Sequence, residues 1–306
     1  MRCIVTGGSG FIGSHVVESL RGEGHDVLVI DKTGENALDL DICDTEKVRE
    51  EFKRCGPDAV FHMAAVADAR KVLADPVTAL HVNVGGTASV LKAACESGVK
   101  RVILASTCWV AGAMGQGLVD VTSPFLPEGA GHPYTTSKIA SEFLAHDFNR
   151  LYGLPFTILR YGIPYGPRMW QGLVLRSFLD RAFAGQPLTI FGDGSATRRF
   201  VYVEDLARAH VLALRDIAEN QTYNLEGMRA VSVKELADTV ARLLSGVSIE
   251  YKVEATRAGE FAHFRQLISN ARAYVDLGWE PRVDLEEGVR RTVEWYRANL
   301  EELQKS

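Results

Sequence analysis

The sequence lacks several features that would point to particular classes of protein. Its 306 residues contain no Lys/Arg-rich block, and 34 basic against 39 acidic side chains give a formal net charge of −5. Nucleic acid and anionic membranes are therefore not expected as partners. Apolar runs stay short of the roughly eighteen residues that a membrane-spanning helix needs. The opening stretch "MRCIVTGG" has no signal-peptide core, so no membrane association or secretion is expected.

Cysteine usage is also sparse and unpaired. The five cysteines are scattered, without a C-x-x-C pair, which is typical of reduced thiols and predicts a cytoplasmic location. No group of His, Cys and acidic residues has the spacing of metal ligands, so no metal is expected. With 46% hydrophobic and 24% charged residues, the composition is that of a globular protein with one large core or two associated domains.

Short apolar runs alternate with amphipathic segments in the first half of the chain. Strands are predicted from the runs "CIVTG", "DVLVID", "AVFHMA", "RVILAS" and "LPFTILRYG". Helices are predicted from "FIGSHVVESLRGEG", "TEKVREEFKRCG" and "ALHVNVGGTASVLKAACESG". Because these strands are continuously apolar, they are expected to be buried and parallel. The pattern predicts an α/β fold with a Rossmann-type doubly wound parallel sheet.

A glycine-rich turn follows the first predicted strand. In "TGGSGFIG", Gly7, Gly10 and Gly13 keep a G-x-x-G-x-x-G frame, with Phe11 and Ile12 beginning the next helix. Such glycines allow a tight turn and close approach of the backbone to a pyrophosphate, while the helix N-terminus supplies N–H groups. The motif predicts a dinucleotide site in residues 1–162. Residues 163–306, with Gly/Pro-rich loops and later amphipathic helices, are expected to form a smaller α/β substrate domain, some segments of which return to the sheet.

The identity of the dinucleotide depends on the residue at the end of the second strand. Asp31 lies there, eighteen residues after Gly13, where a carboxylate can accept hydrogen bonds from a ribose. Its charge repels a 2′-phosphate, which favours NAD over NADP, although the neighbouring Lys32 weakens that preference.

The segment "DLDICD" has two interpretations. Asp41 could reach the adenine amino group while Ile42 packs on the ring. Alternatively, an Asp could cap the helix "TEKVREEF", and Asp44 is then better placed than Asp41.

A tyrosine and a lysine lie four residues apart in "HPYTTSKIASEF". A tyrosine can remove the proton of an alcohol, but its ordinary pKa of about 10 is too high at neutral pH. An ammonium group one helical turn away would favour the phenolate. The i, i+4 spacing of Tyr134 and Lys138 therefore predicts an acid–base pair on one helix face.

These segments together resemble the extended short-chain dehydrogenase/reductase family, in its nucleotide-sugar epimerase/dehydratase branch. The resemblance covers nearly the whole chain and is carried by "TGGSGFIG", Asp31, "DLDI", "FHMAAVAD", "NVGGT", "ASTCWVAG", "PYTTSK", "LRYGIPYGPR", "IFGDGSATRRFVYVEDLARA" and "LGWEPRVDLEEGVRRTVEWY". It implies a nucleotide-sugar substrate and NAD as cofactor. A homodimer is implied through a bundle of the helices around 77–97 and 134–150.

The resemblance also implies roles for single residues. Thr107 orients the reacting hydroxyl, Tyr134 is the base, and Lys138 additionally binds the nicotinamide ribose. Further positions that line or support the cofactor are Met63, Ala64, Ala65, Asn83, Ser106, Tyr161 and Pro164. Positions implied for the substrate, besides Thr107 and Tyr134, are Ile163, Phe191, Arg198 and Arg257. His62 is expected to be a hydrogen-bonded structural residue.

Two departures from the family pattern bear on the reaction. After Thr107, 4,6-dehydratases have Asp and Glu for water elimination, whereas this chain has Cys108 and Trp109. Ile163 replaces an Asn that commonly contacts the diphosphate, so the substrate pocket is expected to be reshaped. The prediction is 4-epimerisation of a UDP-sugar, of the UDP-glucose/UDP-galactose type, through a 4-keto intermediate. The alternatives are a nucleotide-sugar 4-ketoreductase, a dehydratase, and a non-catalytic NAD-binding sensor.

Overall fold

The computed structural model describes residues 1–114, 117–126, 130–253 and 267–303, and the chain divides into two compact units. Unit 1 contains the described parts of Met1–Tyr161, Leu206–Leu225 and Gln266–Glu280. Unit 2 contains the described parts of Gly162–Asp205, Glu226–Arg265 and Pro281–Ser306.

A parallel sheet lies at the centre of unit 1. Its seven strands are β1 (Arg2–Thr6), β2 (Asp26–Asp31), β3 (Leu38–Asp39), β4 (Ala59–His62), β5 (Arg101–Thr107), β7 (Phe156–Tyr161) and β12 (Gln221–Leu225). Their order is β12-β7-β5-β4-β1-β2-β3, and every neighbouring pair is parallel. The predicted Rossmann-type sheet is thereby confirmed. The strand order changes direction at β1 and β4, with β2 and β3 on one side and β5, β7 and β12 on the other, and ligands of such folds bind at the carboxyl ends of the strands at this point.

The remaining strands form two-stranded pairs. In unit 1, β6 (Leu118–Val119) pairs with β15 (Leu267–Ile268). The pairs of unit 2 are β8 (Ile163–Tyr165) with β11 (Phe200–Tyr202), β9 (Leu188–Phe191) with β14 (Ile249–Lys252), and β10 (Thr197–Arg198) with β13 (Val231–Ser232).

Helices follow most strands. They are α1 (Phe11–Gly22), α2 (Thr45–Cys55), α3 (Ala69–Ala74), α4 (Pro76–Leu80), α5 (Thr87–Glu96), α6 (Pro133–Tyr152), α7 (Val174–Phe183), α8 (Val203–Leu212), α9 (Val233–Leu243), α10 (Ala271–Leu277), α11 (Leu285–Ala298) and α12 (Leu300–Leu303). None of the helices in the described ranges is long and apolar enough to cross a membrane.

The segment predicted as one helix from "ALHVNVGGTASVLKAACESG" is interrupted by a wider turn. Between α4 and α5, His81–Gly86 is π-helical. Asn83 in this turn is buried, and its amide accepts from the Val66 backbone N–H at 2.7 Å and donates to the Val66 carbonyl at 3.1 Å. Gly86 leaves room for Ile42, whose Cδ1 would lie 2.5 Å from a Cβ at this position. The π-helical turn therefore contains both the residue that binds the Val66 backbone, Asn83, and the glycine against which Ile42 packs, Gly86.

Candidate active site

The glycine-rich turn between β1 and α1 is tightly constrained. Gly7 has φ +72°, and a Cβ there would lie 2.6 Å from the Ala64 backbone nitrogen. A Cβ on Gly13 would lie 2.1 Å from the Gly7 carbonyl oxygen. Side chains at these two positions are therefore excluded, and the backbone at the end of β1 stays accessible for close approach of a phosphate.

The N-terminus of α1 has the chemistry that a pyrophosphate needs. Its N-cap is Gly10, which provides no side-chain cap, and its first turn, which includes Phe11 and Ile12, contains no acidic residue. The backbone N–H groups and the positive end of the helix dipole are thus left to an anionic ligand.

Asp31 lies beside this turn, at the end of β2. Its carboxylate accepts from the Ser9 N–H at 3.0 Å and from the Thr33 N–H at 3.3 Å. These contacts hold a carboxylate where the ribose of a bound dinucleotide is expected. The glycine turn, the helix N-terminus and Asp31 together fit NAD.

Lys32 is directed at another acidic residue. Its Nζ donates to Asp41 Oδ2 at 2.8 Å, and this contact raises the pKa of Lys32 and lowers that of Asp41. Because the Lys32 charge is already paired with Asp41, it competes less for a 2′-phosphate, and the arrangement favours NAD.

The segment "DLDICD" is interpreted either as an adenine contact or as a helix cap, and the structure shows the helix cap at Asp44. Asp44 caps α2 by accepting from the Lys47 N–H at 3.2 Å, so its predicted position is confirmed. Asp41 instead accepts from the Cys43 N–H at 2.9 Å, and Ile42 is buried in the core cluster. Their contact with an adenine ring stays a prediction.

The carboxyl end of β4 lies next to the glycine turn. Met63 donates its N–H to the Thr6 carbonyl at 2.9 Å, and Ala64 and Ala65 continue away from the strand. His62 is buried between the hydroxyl groups of Thr6 and Thr87, at 2.7 and 2.9 Å. Burial, and secondarily the charge of Lys138, lowers the pKa of His62 to about 3. The expectation of a hydrogen-bonded structural His62 is confirmed.

Thr107, Tyr134 and Lys138 come together in unit 1. Thr107 ends β5, and its side chain lies near enough to the Tyr134 hydroxyl to lower the pKa of that phenol. Helix α6 begins at Pro133, directly before Tyr134, and Lys138 Nζ lies 5.9 Å from the centroid of the Tyr134 ring. Residues from a strand end and a helix start are thereby assembled into one acid–base cluster.

His132 fixes the start of this helix. As the N-cap of α6, its Nδ1 accepts from the Tyr134 N–H at 3.0 Å. The Trp109 ring lies edge-on to the Tyr134 ring at 5.6 Å and to the His132 ring at 6.2 Å. An aromatic side chain thus occupies the position beside the phenol where 4,6-dehydratases are expected to have an acidic residue.

Burial, more than the lysine, sets the proton affinity of Tyr134. It raises the pKa of this phenol above its ordinary value, with a smaller contribution from Cys108, while the Thr107 hydrogen bond acts in the opposite direction. Lys138 donates from Nζ to the Ala105 carbonyl at 3.0 Å, and burial lowers its pKa to about 8. Burial thus dominates the pKa of Tyr134, which differs from the expectation, based on spacing alone, that Lys138 sets it.

Tyr161 and Asn83 support the cluster from other elements. Tyr161 lies opposite Thr107 in the register of β5 and β7, and its hydroxyl lies 2.7 Å from Nε2 of the buried His210. Asn83 Nδ2 donates to Ser137 Oγ on α6 at 3.0 Å. Asn83 thus connects the π-helical turn to the helix that carries Tyr134.

Sequence reasoning missed a buried ion pair below this cluster. Glu142 on α6 and Arg160 on β7 are 1% and 4% exposed, and their closest N–O distance is 2.7 Å. Ser106, expected near the cofactor, donates from Oγ to Glu142 Oε1 at 2.5 Å. The signal available in the sequence was a charged residue beside apolar neighbours, Glu142 in "IASEFLA" and Arg160 in "FTILRY".

The residues expected for the substrate lie mainly in unit 2. Ile163 lies in β8, opposite Phe200 of β11, and Pro164, which is predicted for the cofactor, follows it in the same strand, opposite Val201. Phe191 ends β9 and is 40% exposed, and Arg198 lies in β10. Arg257 lies outside the described residues. Within the described ranges, no group of three or more His, Cys, Asp or Glu residues is arranged to hold a metal ion.

Comparison with known proteins places this geometry in a family. A sequence profile described as the NAD dependent epimerase/dehydratase family matches residues 3–225. The chain is 32% identical to UDP-glucose 4-epimerase of Mycolicibacterium smegmatis, an alignment that covers 97% of this chain and 99% of that protein. It is 30% identical to dTDP-glucose 4,6-dehydratase of Salmonella typhimurium, over 98% and 94% of the two chains.

Solved structures agree with this assignment. The crystal structure of UDP-glucose 4-epimerase of Thermotoga maritima with UDP-glucose has a TM-score of 0.88 and 33% identity, and covers 98% of this chain and 100% of that chain. The chain therefore belongs to the NAD-dependent epimerase/dehydratase family, whose cofactor is the NAD that the sequence predicts.

Proposed function

We propose that the protein is a nucleotide-sugar epimerase that inverts C4 of a UDP-sugar, of the UDP-glucose/UDP-galactose type, through a 4-keto intermediate. The observation that carries the proposal is the cluster of Thr107, Tyr134 and Lys138, with the Trp109 ring packed against the phenol. Relatives named UDP-glucose 4-epimerase, at 32% and 33% identity over nearly the full chain, support it.

In this mechanism the chain's own residues bind and deprotonate the sugar's 4-hydroxyl. Thr107 Oγ1 holds the reacting oxygen, and Tyr134 Oη takes its proton and later gives a proton back. Lys138, whose pKa is about 8, is mostly an ammonium ion at neutral pH, and its charge stabilises the phenolate form. A bound NAD would be held by the glycine turn, Asp31 and Lys138, and it would supply the acceptor for the C4 hydride and the means to return that hydride to the opposite face of the sugar.

The alternatives are less well supported by the residues around the phenol. Elimination of water needs a carboxylic acid near Tyr134, and the two positions after Thr107 are Cys108 and Trp109. A ketoreductase would consume its cofactor, and such enzymes more often use NADPH, which Asp31 disfavours. A sensor has no need of an assembled Thr–Tyr–Lys cluster.

The two units are proposed to divide the binding work. Unit 1 holds NAD through the glycine turn, Asp31 and Lys138. Unit 2 binds the nucleotide of the substrate, with Phe191 beside the base and Arg198 on the diphosphate, since guanidinium groups bind phosphates in a bidentate manner. Arg257 is proposed as a second phosphate ligand. In the described part of the chain the five cysteines form no disulfide, which supports the predicted cytoplasmic location.

The test of the proposed function is turnover without added cofactor. Purified protein is incubated with UDP-, dTDP- and GDP-sugars, and products are separated by chromatography and identified by proton NMR. Interconversion of C4 epimers of a UDP-sugar, without net oxidation, is the expected result. Formation of a 4-keto-6-deoxy sugar would establish a dehydratase, and net consumption of NADPH with a 4-keto sugar would establish a reductase.

Asp31→Asn is expected to change the choice of cofactor. The substitution keeps an acceptor for the Ser9 N–H but removes the charge that repels a 2′-phosphate. We expect the ratio of the NADP to the NAD dissociation constant to fall by about 10- to 100-fold, as one charged hydrogen bond is worth about 1.5–3 kcal/mol. Calorimetric titration with both dinucleotides measures it. Asp39→Asn, at the position opposite Asp31 on β3, is the matched control, and an unchanged ratio for Asp31→Asn would contradict the assignment.

Exposed apolar residues on α4 support the proposed homodimer. Val77 is 78% exposed, and Leu80 on the same helix is also exposed. Val77→Glu is expected to convert a dimer to a monomer because it places a charge in the bundle. Val275→Glu on α10, where the valine is equally exposed at 78%, is expected to remain dimeric. Light scattering coupled to gel filtration gives both masses, and a wild-type monomer would refute the dimer.

A further inference from the structure

One buried carboxylate receives hydrogen bonds from both strands next to the active site. Arg160 Nε and Nη2 donate to the two Glu142 oxygens at 3.0 and 2.7 Å. Ser106 Oγ donates to Glu142 Oε1 at 2.5 Å. Ser106 and Arg160 are opposite each other in the register of β5 and β7. Glu142 therefore fixes α6 against two neighbouring strands at the same level.

The same carboxylate lies one helical turn after Lys138. Residues 138 and 142 have i, i+4 spacing on α6, so their side chains share a face. Lys138 donates from Nζ to the Ala105 carbonyl, directly before Ser106. The strand segment that ends in Thr107 is thus held to α6 by two contacts, one from Lys138 and one from Glu142.

We propose that Glu142 is a positioning residue for catalysis, which places a negative charge one helical turn from Lys138 and holds β5 so that Thr107 faces Tyr134. This inference rests on the proposed function, because it assigns Glu142 a role in supporting the residues that the proposal makes catalytic. Glu142 acts through Ser106 and Lys138.

A purely structural role explains the arrangement less well. Replacing a buried ion pair by apolar residues of similar size is often neutral or stabilising, so anchoring the helix does not by itself require charges. A negative charge does serve an ammonium ion that burial would otherwise neutralise. The carboxylate of Glu142 raises the pKa of Lys138, in opposition to the burial that lowers it to about 8.

The other ionisable groups around Lys138 come from several elements of the described chain. On α6 itself these are Tyr134 and Glu142, and on β7 Arg160, which is paired with Glu142. His62 on β4 has a pKa of about 3 and is neutral at the pH of the assay. Cys108 lies beside Tyr134. Of these, Glu142 provides the negative charge that favours the ammonium form of Lys138.

Glu142→Gln is expected to shift the alkaline limb of the kcat–pH profile. Without the carboxylate the pKa of Lys138 falls, so activity is lost as the pH rises through a lower value. The expected shift is about one pH unit or more. Asp147→Asn, an exposed acidic residue on the same helix, is the matched control and leaves the limb in place. Glu142→Asp, which retains the charge, is expected to restore the position of the limb.

Glu142→Gln also leaves the buried Arg160 guanidinium without its carboxylate partner. The double variant Glu142→Gln/Arg160→Gln removes both charges, so it separates the loss of this ion pair from the loss of the effect of Glu142 on Lys138. If Glu142 serves only as a partner of Arg160, the folded double variant has the wild-type limb, and the proposal is overturned. If Glu142 positions Lys138 and favours its ammonium form, the alkaline limb of the double variant lies at lower pH than that of the wild type.

A measurement without turnover separates this inference from the proposed function. The pKa of Lys138 is read by carbon-detected NMR of protein labelled at lysine Cε, with the signal assigned by its loss in Lys138→Met. A lower pKa in the double variant and in Glu142→Gln than in the wild type supports the role of Glu142, even if no UDP-sugar is epimerised. An equal pKa in all three proteins refutes it, whatever the substrate.

Discussion

Tyr134→Phe is expected to lower kcat for epimerisation by about 10²- to 10⁴-fold, the usual contribution of a positioned acid–base group. The variant removes the hydroxyl that lies near the Thr107 side chain and keeps the ring that packs against Trp109. Loss of one hydrogen bond costs about 0.5–1.5 kcal/mol of stability, so the protein should remain folded. Single-turnover conversion of the UDP-sugar, with NAD content determined on the same sample, measures the effect.

Tyr152→Phe is the matched control for this substitution. Tyr152 is the last residue of the same helix and is 62% exposed, so removal of its hydroxyl changes neither the cluster nor the core. Its kcat is expected to equal that of the wild type. A Tyr134→Phe enzyme within about three-fold of wild-type kcat would contradict the proposed proton transfer, because a general base of typical strength contributes far more.

The strands of the central sheet and the catalytic cluster could be predicted because each depends on residues close in sequence. Strands β1, β2, β4, β5 and β7 are continuous apolar runs, and burial on both faces of a parallel sheet requires such runs. The pairing of Tyr134 with Lys138 follows from helical spacing. The place of Thr107 follows from the resemblance to the family, in which a Ser or Thr occupies this position after the strand.

Other features depend on contacts that are distant in sequence. The ion pair of Glu142 with Arg160 joins a helix to a strand eighteen residues later, and each residue alone reads as a polar interruption. The π-helical turn contains Asn83, whose contacts with the backbone of Val66 are not encoded by any local pattern. For Tyr134, the sequence indicated a charged neighbour but not how far the phenol is buried.

Gly13→Ala is expected to have the largest effect on cofactor binding. A Cβ at this position would lie 2.1 Å from the Gly7 carbonyl oxygen, and 2.9 Å from the Gly8 Cα. These neighbours are backbone atoms, so no side-chain rotation can relieve the overlap, and the turn itself must move. We expect the free energy of unfolding to fall by about 2–4 kcal/mol. This is more than the usual loss of about 1–3 kcal/mol for an atom added to a packed site, because the backbone must move. NAD binding is expected to weaken by at least about 100-fold, because a loss of 2.8 kcal/mol corresponds to that factor.

Gly22→Ala provides a control within the same helix. Gly22 ends α1, and a Cβ there would meet no heavy atom within 4 Å. Since alanine loses less backbone entropy than glycine in a helix, this variant is expected to gain about 0.5–1 kcal/mol. Urea unfolding gives the free energy of unfolding of both variants, and NAD titration gives their NAD dissociation constants. The comparison separates the overlap in the glycine turn from the effect of placing an alanine in α1. If Gly13→Ala unfolded like Gly22→Ala and bound NAD equally well, the turn could not be the pyrophosphate site.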